Sequence, residues 1–129
     1  MTAPRVAVAS IAVTRAAPGR WKVRWRITNE GDALHLTQVA APHGKFRSPD
    51  RLIDVALPPG GSFDTQLEIA CAEPAGQEIE NTFLILTAEA ERGAWRILAR
   101  MRIRVDADGV PHPTTERIDV QEVGFSGQR

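Results

Sequence analysis

The sequence predicts an all-β chain, an antiparallel β-sandwich of seven to eight strands. Three observations predict it. Apolar residues recur at every second position in the most regular stretches, turn residues punctuate the chain at short intervals, and no stretch carries a convincing helical stripe. "AWRILARMRIRV" shows the pattern best. Trp95, Ile97, Ala99, Met101, Ile103 and Val105 alternate with Arg96, Arg100, Arg102 and Arg104, with Leu98 interrupting the arginine face. A helical stripe from Trp95 would take Leu98 and Ala99 and then meet Arg102, so the stretch is a strand. Its isoleucine and valine content fits a pleated strand as well.

The elements follow in order. Residues 5–14 form the first strand, with Val6 and Val8 in one register and Ile11 and Val13 in the other. A bulge near Ala9–Ser10 reconciles them. In "WKVRWRITNEGD", Trp21, Val23, Trp25 and Ile27 share one face, while Lys22, Arg24 and Arg26 share the other. Asn29, Glu30, Gly31 and Asp32 then supply turn residues. Leu34, Leu36 and Val39 mark a third strand and residues 51–57 a fourth. "LPPGGS" is a turn in which proline presets the first position and glycine permits positive φ at the next. The fifth strand runs from Ser62 to Cys71 with Phe63, Leu67, Ile69 and Cys71 inward, the sixth over about residues 79–90, and the seventh follows Arg92–Gly93. A last short strand carries Ile118 and Val120. Residues 1–113 read as the sandwich, and 114–129 as a C-terminal strand and tail packing on the same domain or on a partner.

"RWRITNEGD", then "LPPGG", then the hairpin across Arg92–Gly93 resemble bacterial immunoglobulin-like domains of the CARDB and fibronectin-III-like kind, over about residues 5–105. In those a valine-rich strand ends in Asn-x-Gly and a Leu-Pro-Pro-Gly turn leads the next strand. The resemblance implies an immunoglobulin-like sandwich and is nearly silent on function. One cysteine and no tyrosine exclude the antibody hallmarks.

Composition bounds the rest. A chain of 129 residues, 43% hydrophobic and 25% charged, is an ordinary globular composition, with length for one domain and a sizeable core. There is no apolar run long enough to span a membrane and no continuous apolar leader at the start, so no membrane is expected. Cys71 is the only cysteine, which excludes an internal disulfide and, with the missing leader, points to the cytoplasm. Net charge is zero, which argues against nucleic acid as a partner.

Charge nevertheless alternates in blocks: +5 over residues 1–60, −7 over 61–91, +5 over 92–105 and −3 over 106–129. In the resembled fold the second strand pairs with the fifth and the sixth with the seventh. Lys22, Arg24 and Arg26 then flank Asp64, Gln66 and Glu68, and the seventh-strand arginines flank a strand bearing Glu80 and Glu89. The arginines are therefore expected to answer acidic neighbours of their own sheet.

No motif announces catalysis. His35, His43 and His112 lack metal-ligand spacing, no serine sits in a nucleophile elbow, and "PPGGS" lacks the length and lysine of a phosphate loop. Cys71 continues an inward register, where a cysteine is a small buried apolar residue. Trp21, Trp25 and Trp95 lie in core registers rather than on a stacking platform. No cofactor, metal or catalytic residue is expected. One feature strains a two-layer sandwich: "NTFLILTAEA" is apolar on both faces. If Phe83 and Ile85 face the core, then Leu84, Leu86 and Leu98 make an outer apolar patch rimmed by Arg96 and Arg100, covered by the tail (Ile118, Val120, Val123) or by another subunit. The expected function is a non-enzymatic interaction or structural module acting through an outer sheet face or an edge strand, with a protein partner or a second copy bound through the face of strands six and seven. The alternative is a ligand-binding or enzymatic sandwich with a loop-borne site near His43 and His112.

Overall fold

The computed structural model describes residues 3–91 and 93–123. Eight strands run β1 (Val6–Ala17), β2 (Arg20–Asn29), β3 (Leu34–His43), β4 (Phe46–Leu57), β5 (Ser62–Ala70), β6 (Glu78–Ala90), β7 (Gly93–Val105) and β8 (Pro111–Val123). All pairings are antiparallel, and the strands form one curled sheet, half of a barrel, in the order β1-β2-β5-β4-β3-β6-β7-β8. Among the described residues no helix is long and apolar enough to cross a membrane.

The alternation read from the sequence sets the inner face. Trp21, Val23, Trp25 and Ile27 of β2 and Trp95, Ile97, Met101 and Ile103 of β7 are buried, as expected. Curling lets the inner faces of the two halves pack on each other. Trp25 of β2, for instance, meets Phe46 of β4 edge-on, with centroids 6.2 Å apart.

The two halves are held at both ends and separate between. At one end Arg47 pairs with Ala70, among the described residues the only ladder pair between β4 and β5. At the other, Asn29 closes β2, fully buried. Its Nδ2 donates to the carbonyls of Asp32 (2.8 Å) and Leu57 (2.9 Å), and its Oδ1 accepts from the Gly31 amide (2.9 Å). Its main chain exchanges bonds with Gly60 and Gly61 in the β4–β5 turn. Gly60 takes φ 79°, and a Cβ on Gly61 would stand 3.0 Å from Pro58, so the turn needs both glycines. The Asn-x-Gly and Leu-Pro-Pro-Gly motifs are thus two halves of one joint.

Two expectations are corrected in β6 and β8. Ile79 faces the core, and strict alternation would carry Asn81, Phe83 and Ile85 inward with it. Instead Glu80 and Asn81 stand out of register as a bulge, with Asn81 at φ 58°. The bulge flips the parity, so Thr82, Leu84, Leu86 and Ala88 are the buried set. The last strand is longer than expected, 13 residues, and pairs with β7 along its length. Pro111 and Pro113 read as loop residues, yet they stand opposite Val105 and Ile103. Proline is tolerated there because β8 is an edge strand and the missing N–H can face its unpaired side. The curl brings β1 and β8 together, where the Ser10 hydroxyl donates to the Pro113 carbonyl (2.9 Å).

Truncating Asn29 to alanine strands two buried carbonyls and an amide, and is expected to cost about 3 kcal/mol. Urea unfolding measures it, and a loss under about 1 kcal/mol would show that water replaces the amide freely. Trp95, only 7% exposed, should lose about 3–5 kcal/mol on replacement by alanine, as other large core aromatics do. A near-neutral Trp95→Ala would put that ring outside the core.

Candidate functional site

Of the arginine row of β7, Arg100 and Arg102 meet acids. Arg102 lies within ion-pair distance of Glu78 (3.5 Å), Glu80 (3.8 Å) and Glu116 (3.1 Å), and Arg100 reaches Glu116 at 4.0 Å. Bulges place two of these carboxylates. Glu80 belongs to the β6 bulge, and Glu116 is the extra residue where β8 slips register between Arg100 and Met101. On the other half Lys22, Arg24 and Arg26 stand opposite Glu68, Gln66 and Asp64, the register expected from the sequence. Arg26 and Asp64 form a two-pronged pair (2.9 and 3.1 Å), and this hydrogen bonding holds the Asp64 carboxyl below its ordinary value. Glu116 was not legible as a partner, because nothing in a one-strand pattern announces a bulge on the next strand.

The apolar patch exists with different members. Leu84 and Leu86 are fully buried in the core, which corrects the expectation that placed them outside. Phe83 and Ile85 take the outer face, half-buried, and Ile85 stands opposite Leu98 of β7 and Ala40 of β3. Arg96 and Arg100 share this face with Leu98 and rim it on the β7 side. Arg96 has no acidic side chain within 4 Å among the described residues. On the opposite side His35 of β3 and Asp54 of β4 stand in contact, and Glu89 lies toward the end of β6 opposite His35. The described part of the tail does not cover the patch. Ile118 and Val120 pack against the core from β8, and Val123 is 36% exposed at the strand's end; residues 124–129 lie outside the described residues.

The histidines serve local structure. The β3–β4 turn with His43 and the β7–β8 turn with His112 lie at the same end of the sheet by strand direction. The His43 Nδ1 accepts the Lys45 amide (3.1 Å), and the His112 Nε2–H donates to Asp106 Oδ2 (2.7 Å). Asp106 also caps its own turn through the Asp108 and Val110 amides. Cys71 is buried, burial pushes its thiol up from the ordinary value, and its carbonyl accepts the Trp21 indole (2.8 Å); a thiol held protonated is a poor nucleophile. Among the described residues no group of three or more His, Cys, Asp or Glu side chains is placed to hold a metal.

A groove of about 350 Å³ opens where β4 and β5 part, lined by Arg51, Ile53, Phe63, Asp64, Thr65 and Gln66. Arg51 crosses it, its Nη1 donating to the Gln66 carbonyl at 2.7 Å. The even β4 and β5 strand patterns gave no sign of this gap in the sequence. No family model, curated protein or solved structure matches the chain.

The Asp106–His112 pair gives a pH prediction. His112 and the turn amides hold the Asp106 carboxyl below the ordinary 3.8 of an aspartate. A depressed carboxylate contributes stability above its unfolded value and loses it as pH falls through the folded one. The Asp106 carboxyl carbon, followed by NMR, should titrate below 3.8 and move upward in His112→Ala. An unchanged midpoint in the variant would assign the shift to the turn amides alone.

Proposed function

We propose that the chain is a non-enzymatic interaction module of immunoglobulin-like kind, which docks a second copy of itself through the outer face of β3, β6 and β7. The fold reading is supported by the pairing of β2 with β5 and of β6 with β7, as in the resembled domains, and by the single residue pair at which the strand order divides into β1-β2-β5 and β4-β3-β6-β7-β8. Such a division gives two layers that face each other across a core.

The observation that carries the functional reading is the strip of Phe83, Ile85 and Leu98 on the outer face. An edge-to-edge sheet has a solvated outer face that is ordinarily polar. Here three large apolar side chains are neighbours across two strands, and no described element lies over them. An apolar centre with a charged rim is the usual anatomy of a docking surface.

A second copy fits because the rim carries both signs. A two-fold axis along β6 lays the β7 side of one copy on the β3 side of the other. Arg96 then stands over the β3 side of the opposite molecule, nearest its His35 and Asp54, and zero net charge removes bulk repulsion between copies. The loop reading around His43 and His112 has less support, since both imidazoles are engaged by their own turns.

Sedimentation across a concentration series tests the proposal. The wild type should be dimeric at high concentration, and Ile85→Arg and Leu98→Glu should be monomeric with an unfolding midpoint close to the wild type's. A wild type that stays monomeric throughout would overturn the dimer.

A further inference from the structure

The gap between β4 and β5 is a strand edge with defined chemistry. β5 pairs with β2 from Ser62 to Ala70, but with β4 only at Ala70. Successive residues of a strand turn their main-chain groups to opposite edges. The Gln66 carbonyl is the one Arg51 reaches, and Ala70 is the residue that pairs with β4. Even-numbered residues of β5 therefore face the gap and odd-numbered ones bond to β2. Asp64, Gln66 and Glu68 present main-chain donors and acceptors that no described strand meets. Beneath this edge Phe63 and Ile53 supply half-buried apolar surface, and Leu52, beside it in β4, is 83% exposed.

We propose that this edge receives an extended peptide segment of a partner protein, added to β5 as a further strand, whose side chains alternate basic and apolar. An unpaired strand edge specifies an extended backbone, because only a strand presents donors and acceptors at matching intervals. The charge pattern specifies the side chains. On its paired side β5 is already read by such a strand: Lys22, Arg24 and Arg26 of β2 stand opposite Glu68, Gln66 and Asp64, with the intervening apolar residues inward. The free side offers two of these residues, the Asp64 and Glu68 carboxylates that Arg26 and Arg20 already approach, to a second basic strand, and its alternate positions fall toward Phe63 and Ile53. A second copy is a poor occupant. Antiparallel pairing of two β5 edges about Gln66 sets Asp64 against Glu68 twice, and like charges directly opposite repel.

Arg51 is the guard of this edge. Its guanidinium occupies the Gln66 carbonyl, which satisfies the acceptor and blocks casual strand pairing. An incoming strand replaces that bond with its own amide and releases Arg51 to solvent. The edge lies on a different strand pair from the β6–β7 face, so either surface stands or falls without the other.

The test is fluorescence anisotropy with the full chain and a blocked, labelled peptide, Arg-Val-Arg-Val-Arg-Val-Arg, at physiological salt. The wild type should bind it saturably. Arg51→Ala, which leaves the Gln66 carbonyl unoccupied, should bind about tenfold more tightly. Gln66→Pro removes one donor at the free edge and spares the β2 ladder, so it should keep its circular dichroism and bind about tenfold more weakly. A peptide of the same composition with its arginines and valines in two blocks should not bind. Equal binding of the block peptide would reduce the effect to charge and overturn the proposal. So would wild-type affinity in a folded Gln66→Pro, or no binding by both the wild type and Arg51→Ala.

Discussion

The buried amide of Asn29 is the constraint on which the rest of the molecule depends. It sits where β2 ends and spends its side-chain donors on carbonyls from two other parts of the chain, one in its own turn and one at the end of β4. Between β4 and β5 the sheet has almost no ladder of its own. Along the β4–β5 seam the two halves are therefore held by a polar joint at one end, a single ladder pair at the other and the Arg51–Gln66 bond between them, with the core behind. A buried amide with satisfied partners is directional in a way that apolar packing is not. Leucines and valines would tolerate a small slide of one half over the other; Asn29 would lose its bonds.

Much of this architecture was legible because β-structure writes itself into sequence with a period of two. The faces of β2, β5 and β7, the register of Lys22, Arg24 and Arg26 against Glu68, Gln66 and Asp64, and the burial of Trp21, Trp25 and Trp95 all follow from alternation and from the order of pairing. The bulges were not legible. "NTFLILTAEA" is apolar at every position from Phe83 to Leu86, so alternation cannot say which half faces in. The decision rests on Asn81, whose left-handed backbone inserts one residue and reverses the parity of everything after it. Asparagine accepts that conformation more readily than most residues, which is the one trace the bulge leaves in the sequence.

The candidate surfaces divide in the same way. Leu98, Arg96 and Arg100 were placed correctly on an outer face because β7 keeps strict alternation. Leu84 and Leu86 were misplaced because β6 does not. The β4–β5 edge was invisible, since an unpaired edge is a property of what stands beside a strand and not of the strand. Charge balance behaves similarly. The blocks of opposite sign predicted that arginines would find acids, yet the particular partner of Arg102, Glu116, depends on a one-residue slip in β8.

Eight strands that alternate in direction have a mechanical consequence. The chain enters at Val6 and leaves β8 at Val123 on the same pole of the sheet, along its two outermost strands. Tension applied between those points does not shear a ladder lengthwise, where all its bonds would resist together. It peels β1 from β2 and β8 from β7, opening the bonds in succession from the loaded end. The fold is thus built to yield under a pull at modest force from its margins inward, beginning at the Val6–Asn29 pair beside the polar joint.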